Sequence, residues 1–339
     1  MTAITMGAGA RPAGTLPILG VDIGGTKVAA GLVSREGQIL KQIREPMQAS
    51  GTAELALRAV TVAIDSLSAA AQEYGGFDGI GICAPGPLDP RAGIILNPPN
   101  LTAWRDYPLQ EKIASIYHLP VKLDNDGNAA ALAEARWGAA RGYKFVFYAT
   151  IGTGIGTGIV FDGRIYHGKT GSAGEGGHMS IDPHGPLCGC GKLGCIEAFA
   201  AGPYIAARAR TKLTAAGAEP SLMLNLANGN LSAVTSEIVG KAYAAGDIAA
   251  REVLEETVEL LTVWLGNIVD LLDPDVLVLG GGVTAMLKPF FGHIRQRLPR
   301  WCVNPHVADI PLLMAHYGAD AGIAGGAALC LDPDQMDSE

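Results

Sequence analysis

The chain has 339 residues, long for one hydrophobic core and comfortable for two lobes. Charged residues make up 17% against 48% hydrophobic, with 46 glycines, which excludes a disordered chain and describes a soluble α/β protein rich in tight turns. The formal net charge of −8 argues against nonspecific binding to nucleic acid or an anionic membrane, yet leaves room for an anionic small molecule held by backbone amides.

Residues 1–16 lack the apolar core of a signal peptide and read as a flexible tail. The apolar run 18–23, a Gly24-Gly25 turn, the run 28–33, a Glu36-Gly37 turn and the run 39–43 predict an antiparallel meander. Residues 52–73 place Leu55, Ala59, Val62 and Ala63 at helical spacing. A strand over 77–83 ends at the turn Ala84-Pro85-Gly86-Pro87, and a loop containing Asn97-Pro98-Pro99-Asn100 follows. Next come a helix near 109–117, a strand at 121–123, and Asp124-Asn125-Asp126 leading into an Ala-rich helix over 128–137.

A second meander begins at 145–151, turns on Gly152-Thr153-Gly154 and returns through 156–161. A helix opens near Ile196. The longest helical pattern, 248–272, aligns Val253, Leu254, Val258, Leu261, Leu265, Ile268 and Leu272 on one stripe and stops before Asp273-Pro274. A strand at 276–279 halts at Gly280-Gly281-Gly282, and 318–331 reads as a Gly/Ala helix suited to close packing. One unit thus occurs twice, with a hinge near residue 124. No stretch is long enough to span a bilayer, and clustered thiols fit a reducing cytosol, so a cytoplasmic protein is expected.

The segment 175–197 carries the densest chemistry. His178, Cys188, Cys190 and Cys195 follow the spacing H-x9-C-x-C-x4-C, the ligand set of a closed, structural Cys₃His zinc site. Glu175 and Glu197 bracket it. Both carboxylates can accept hydrogen bonds from hydroxyls, as can the non-metal nitrogen of His178. They read equally as a loop acid and as a first-turn acid favoured by the helix dipole.

Asp22, Gly24, Gly25, Thr26 and Lys27 occupy the first meander turn, where outward amides and a hydroxyl make an anion cradle, and Asp22 can hold magnesium through water. Taken alone, the motif reads more readily as an ordinary Gly-Gly hairpin turn. The matching turn at Gly152, Thr153, Gly154 and Gly156 shifts the reading: two such turns facing each other across a cleft would grip a polyphosphate. Residues 163–170 match the Walker A letters, but bulky Arg164, Ile165, Tyr166 and His167 fill the loop and no helix follows, so no P-loop is expected. Asp126, between strand and helix, suits either a base for phosphoryl transfer to an alcohol or a helix cap.

These residues together resemble the ROK family of sugar kinases, from Leu19 to about Leu331. The motifs are DIGGTK at 22–27, DNDGNAAALAE at 124–134, IGTGIGTGI at 151–159, GEGGH at 174–178 and CGCGKLGCIE at 188–197. The resemblance implies an actin-like, hexokinase-type (ribonuclease H-like) α/β fold of two lobes around a cleft, with a zinc-binding loop. A small lobe would comprise 17–124 plus about 319–333, and a large lobe 125–318 with the zinc loop at 178–195. It implies ATP, magnesium and structural zinc as cofactors and a hexose as substrate, with Asp126 deprotonating the 6-hydroxyl. Gly86, Asn100, Asn125, Glu175, His178 and Glu197 would hold the ring. The two glycine turns would take the phosphates, and Gly280, Gly281 and Gly282 would lie by the adenosine.

Family members are often homodimers or homotetramers, and some are repressors with a preceding helix-turn-helix. Here about 17 unstructured residues and a negative charge precede or surround the first strand, so no nucleic-acid partner is expected. Pro85-Gly86-Pro87 with Asn100, Leu101 and Trp104 looks most like the glucokinases, and N-acetylmannosamine kinases carry an arginine at the place of Pro87. Glucose 6-phosphate is the expected product. An N-acetylhexosamine kinase, and a non-catalytic sugar-sensing protein, are the alternatives.

Overall fold

The computed structural model describes residues 15–215 and 220–331. All but the last two positions of the predicted tail therefore lie outside the described residues, as do positions 332–333 of the predicted small lobe. The chain divides into two compact units, residues 1–129 with 320–339, and residues 130–319.

In the first unit the meander is β1 (Ile18–Ile23), β2 (Lys27–Val33) and β3 (Ile39–Pro46). Helix α1 (Ala53–Ala71) starts where the side chain of Thr52 accepts the N–H of Leu55, satisfying one of the donors every helix start leaves open. Strand β4 (Ile80–Ala84) begins three residues later than Phe77, because the Asp78 N–H is taken by Pro17 O outside the sheet. A two-residue hairpin, β5 (Leu88–Asp89) and β6 (Ile94–Ile95), was not foreseen. Helix α2 (Leu109–Tyr117), strand β7 (Val121–Asn125) and helix α3 (Asp126–Arg136) follow.

The sheet order is β3-β2-β1-β4-β7, antiparallel among the first three strands and parallel among the last three. Register sets Asp22 beside Cys83 and Cys83 beside Asp124, and side chains in register on neighbouring strands share a face. The row lies at the carboxyl ends of three parallel strands, where open α/β sheets place ligands.

Helix α11 (Ala321–Ala328) closes this unit, shorter than the predicted 318–331 because Gly318 takes φ +54° and residues 318–320 form a 3₁₀ turn. It packs backbone to backbone on the sheet. A Cβ on Gly20 would fall 1.9 Å from Ile323 O, and one on Gly81 1.6 Å from Gly326 O.

The second unit repeats the pattern. Strands β8 (Phe145–Ile151), β9 (Ile155–Phe161) and β10 (Arg164–Ile165) form the meander. Helices α4 (Glu197–Ala200), α5 (Gly202–Thr214), α6 (Leu222–Leu226), α7 (Ser236–Ala244) and α8 (Ile248–Leu272) come next. Strand β11 (Val276–Gly280), helices α9 (Gly282–Leu287) and α10 (Phe291–Arg297) and strand β12 (Leu312–Met314) complete it. The sheet order β10-β9-β8-β11-β12 mirrors that of the first unit.

Helix α8 matches its predicted span. The Asp247 side chain caps it through Ala250 N at 2.8 Å, and Asp273, left-handed at φ +45°, ends it before Pro274. Its buried stripe includes Trp264, fully enclosed and edge-on to Phe147. Among the described residues no helix is long and apolar enough to cross a membrane. The Walker A letters fall on a hairpin: Asp162 and Gly163, both with positive φ, turn the chain into β10, which pairs with β9.

Candidate active site

The cysteine segment folds on itself through the bridges Leu187 to Leu193 and Ser180 to Cys195. Gly194 has φ +68°, and a Cβ there would collide with Asp182 O at 1.6 Å, so this fold-back requires glycine. The ligand atoms of His178, Cys188, Cys190 and Cys195 all lie within 4.8 Å of one another. Cys188 Sγ is 3.6 Å from His178 Nδ1, and Cys190 Sγ is 3.6 Å from Cys195 Sγ. Thiolates bound at about 2.3 Å to a tetrahedral centre stand about 3.7 Å apart, so the four donors fit zinc in both type and spacing.

Burial pushes the Cys188 thiol up to about 12 and raises Cys195, while the Lys192 amide lowers Cys190. A divalent cation among them would reverse the first two effects, because it favours thiolate directly.

Glu197 joins this loop to the second glycine turn. Its Oε2 accepts the Ile155 N–H at 2.8 Å, while Oε1 lies 3.4 Å from Cys188 Sγ and 3.8 Å from His178 Nδ1. Gly154, just before, leaves the room Glu197 needs: a Cβ there would sit 2.7 Å from Oε2. Gly152 N bonds Gly154 O, and Gly152 O receives Gly202 N at 2.8 Å, which sets the start of α5 on the turn. Thr153 is exposed at the tip and Gly156 opens the body of β9.

Beside the turn lies a cavity of about 850 Å³ lined by Gly152, Thr153, Gly202, Ser236, Gly282 and Met286, among others. Gly280 ends β11 and Gly281, at φ +89°, would place a Cβ 2.3 Å from Ile151 O. The walls from α5 and α7, and from α9 beyond Gly282, escaped the sequence reading. Gly202-Pro203 and the Thr235-Ser236-Glu237 run were the available signals, since Pro at the first helical turn and a capping Thr both mark helix starts.

In the first unit the turn after β1 is closed by Gly24 N to Lys27 O at 2.9 Å, with Thr26 and Lys27 exposed. A Cβ on Gly25 would meet Asn100 O at 3.0 Å, so this turn abuts the loop that carries Asn100. Asp22 stands behind it with Oδ1 3.7 Å from Cys83 Sγ, and the thiol also reaches Gly322 O at 3.3 Å. Burial raises the Asp22 carboxyl above the usual range, offset in part by Cys83, Lys27 and Arg44. Burial and the acids Asp22, Asp126 and Asp124 push the Cys83 thiol far up, so it stays protonated.

Asp126 is the first residue of α3 rather than a residue preceding it, and its side chain is exposed while Oδ1 accepts Gly127 N at 2.8 Å. Asn125 Oδ1 accepts the same N–H at 2.9 Å, and Gly86 packs against Asn125 Nδ2. Asp124 is buried, accepting Asn125 N at 2.7 Å and Asn128 Nδ2 at 3.0 Å. The structure thus groups Gly86, Asn125 and Asp126 in one place and Gly25 with Asn100 in another. In the second unit it groups Glu197, His178 and the three cysteines, with Glu175 exposed three residues before His178.

The ROK family model matches residues 18–333. A glucokinase from Streptomyces coelicolor is 33% identical over 94% of this chain and 98% of its own. An N-acetylmannosamine kinase from Shigella flexneri is 33% identical over 93% and 98%. A Streptomyces griseus ROK glucokinase, solved with glucose and AMPPNP, superposes with a TM-score of 0.77 at 34% identity over 92% of this chain and 98% of that one.

Proposed function

We propose that this chain, which belongs to the ROK family and is a hexose kinase, transfers the terminal phosphoryl group of ATP to the 6-hydroxyl of glucose, giving glucose 6-phosphate. The observation that carries the reading is the carboxylate of Asp126, exposed where β7 passes into α3 and next in the chain to Asn125, whose Nδ2 lies beside Gly86. Similarity to glucokinases over almost the whole chain supports it.

In this mechanism Asp126 accepts the proton of the 6-hydroxyl as the O6–P bond forms and the bond from phosphorus to the ADP oxygen breaks. Asn100, Asn125, Glu175, His178 and Glu197 would hold the ring, with Gly86 allowing close approach. Each donates or accepts without itself reacting, so their contribution is positioning. The amides of Gly24, Gly25, Thr26, Gly152, Thr153 and Gly154 would meet the phosphates, and the cavity beside Gly282 would take the adenosine.

Asp22 offers carboxylate oxygen beside a phosphate-type turn, the hard donor that a magnesium ion accepts through water. The Cys₃His set would hold zinc, which supplies folding energy to the loop and no open coordination site. ATP consumption and clustered free thiols support a cytoplasmic location for the reaction.

The similarity to N-acetylmannosamine kinases favours one second reading, phosphorylation of an N-acetylhexosamine. A coupled assay over hexoses and N-acetylhexosamines, with ATP or polyphosphate as donor, separates the two. Turnover on glucose at a higher kcat/KM than on any N-acetylhexosamine is expected. The reverse order would replace glucose, and failure with every sugar would leave a sugar-sensing protein.

A further inference from the structure

We propose that Thr157 is a positioning residue for sugar binding that acts through Glu175; the inference rests on Glu175 being a sugar ligand. Thr157 sits on β9 with 4% of its surface exposed, a buried hydroxyl in a strand otherwise built of apolar residues and glycine. That hydroxyl donates to Gly174 O and accepts Gly176 N at 2.8 Å. Its two partners are the residues on either side of Glu175.

Two further contacts fix the same segment. Trp264 Nε1 donates to Gly176 O at 3.0 Å from the buried face of α8, and Gly177 lies so close to β9 that a Cβ would stand 2.0 Å from Ile155 O. The Glu175 side chain projects from this clamp into solvent, and Glu175 O accepts His178 N at 3.1 Å.

The physical case is one of entropy. A glutamate on the sequence Gly174-Glu175-Gly176-Gly177 has a backbone with few steric limits, so holding it at a ligand hydroxyl would cost ordering free energy on every binding event. A hydroxyl that bonds both neighbouring peptides orders the backbone beforehand. Valine would fill the same volume of β9, so packing alone does not require threonine here. The hydroxyl's donor and acceptor capacities are used together, one toward each side of Glu175.

Thr157→Val, Thr157→Ser, Glu175→Gln and the double variant Thr157→Val/Glu175→Gln test this by steady-state kinetics in glucose and in ATP. Loss of two hydrogen bonds should raise the glucose KM of Thr157→Val about tenfold. The ATP KM should stay within about twofold, and Thr157→Ser should restore the glucose KM. In the Glu175→Gln background Thr157→Val should add nothing, since a residue acting through another is silent once that other is gone. An additive effect, an unchanged glucose KM, or an equal rise in both KM values overturns the proposal. Glu175→Gln with a normal glucose KM would instead remove Glu175 from the sugar site, and Thr157's role with it. If Thr157→Val fails to fold, Trp264→Phe, which removes the bond to Gly176 O together with part of a buried ring, should raise the glucose KM in the same selective way; no change would overturn the clamp.

Discussion

Glu197 accepts the backbone N–H of Ile155 at 2.8 Å, and this bond ties the cysteine loop to the strand leaving the Gly152–Gly154 turn. Its other carboxylate oxygen faces Cys188 and His178, two of the four metal donors. The loop that would hold zinc and the turn that would hold phosphate therefore share one side chain.

Metal removal should be felt in sugar binding. Elemental analysis is expected to find about one zinc per chain, as four donors in a closed site imply. Chelation should raise the glucose KM or unfold the loop, read as a lower melting temperature. Metal-free protein with unchanged kinetics and melting would break the link between zinc and the sugar.

Asp22→Asn should separate stability from activity. Burial raises the Asp22 carboxyl, so the folded state favours its protonated form. The ionised group therefore costs stability at neutral pH, and that cost is relieved as pH falls through the raised folded value. The asparagine variant should melt higher at pH 7, with the advantage shrinking in acid, while kcat falls on the order of tenfold to a hundredfold. Equal melting at pH 7 would contradict the burial argument.

The close seat of α11 gives a packing test. With a Cβ 1.6 Å from Gly326 O, Gly81→Ala should cost about 3 kcal/mol or more, read by urea denaturation. Gly292→Ala, where a Cβ meets nothing within 4 Å inside α10, should instead stabilise by about 0.5–1 kcal/mol. Comparable effects at the two sites would refute the packing account.

Much of this was legible before the structure. Periodicity alone placed α8, because its apolar stripe is continuous and Asp273-Pro274 stops it. The cysteine spacing foretold four donors in reach of one point because the intervening glycines let a short loop fold back. Tertiary choices were not legible. Nothing local marks Thr157 as a clamp rather than one more polar residue of a glycine turn, and its partners lie 17 and 19 positions away. The row of Asp22, Cys83 and Asp124 exists only through the parallel register of three strands. The walls of the cavity come from α5, α7 and α9, of which α7 alone starts on a side-chain cap, Thr235, a weak signal in an Ala-rich background.

The central claim is that Asp126 takes the proton from the sugar hydroxyl. The kcat of Asp126→Asn with saturating glucose and ATP tests it most directly. A fall of roughly 10²–10⁴-fold, with glucose binding by calorimetry largely intact, is the predicted result. Near-normal turnover would remove Asp126 from the mechanism and leave it as a residue of the first turn of α3.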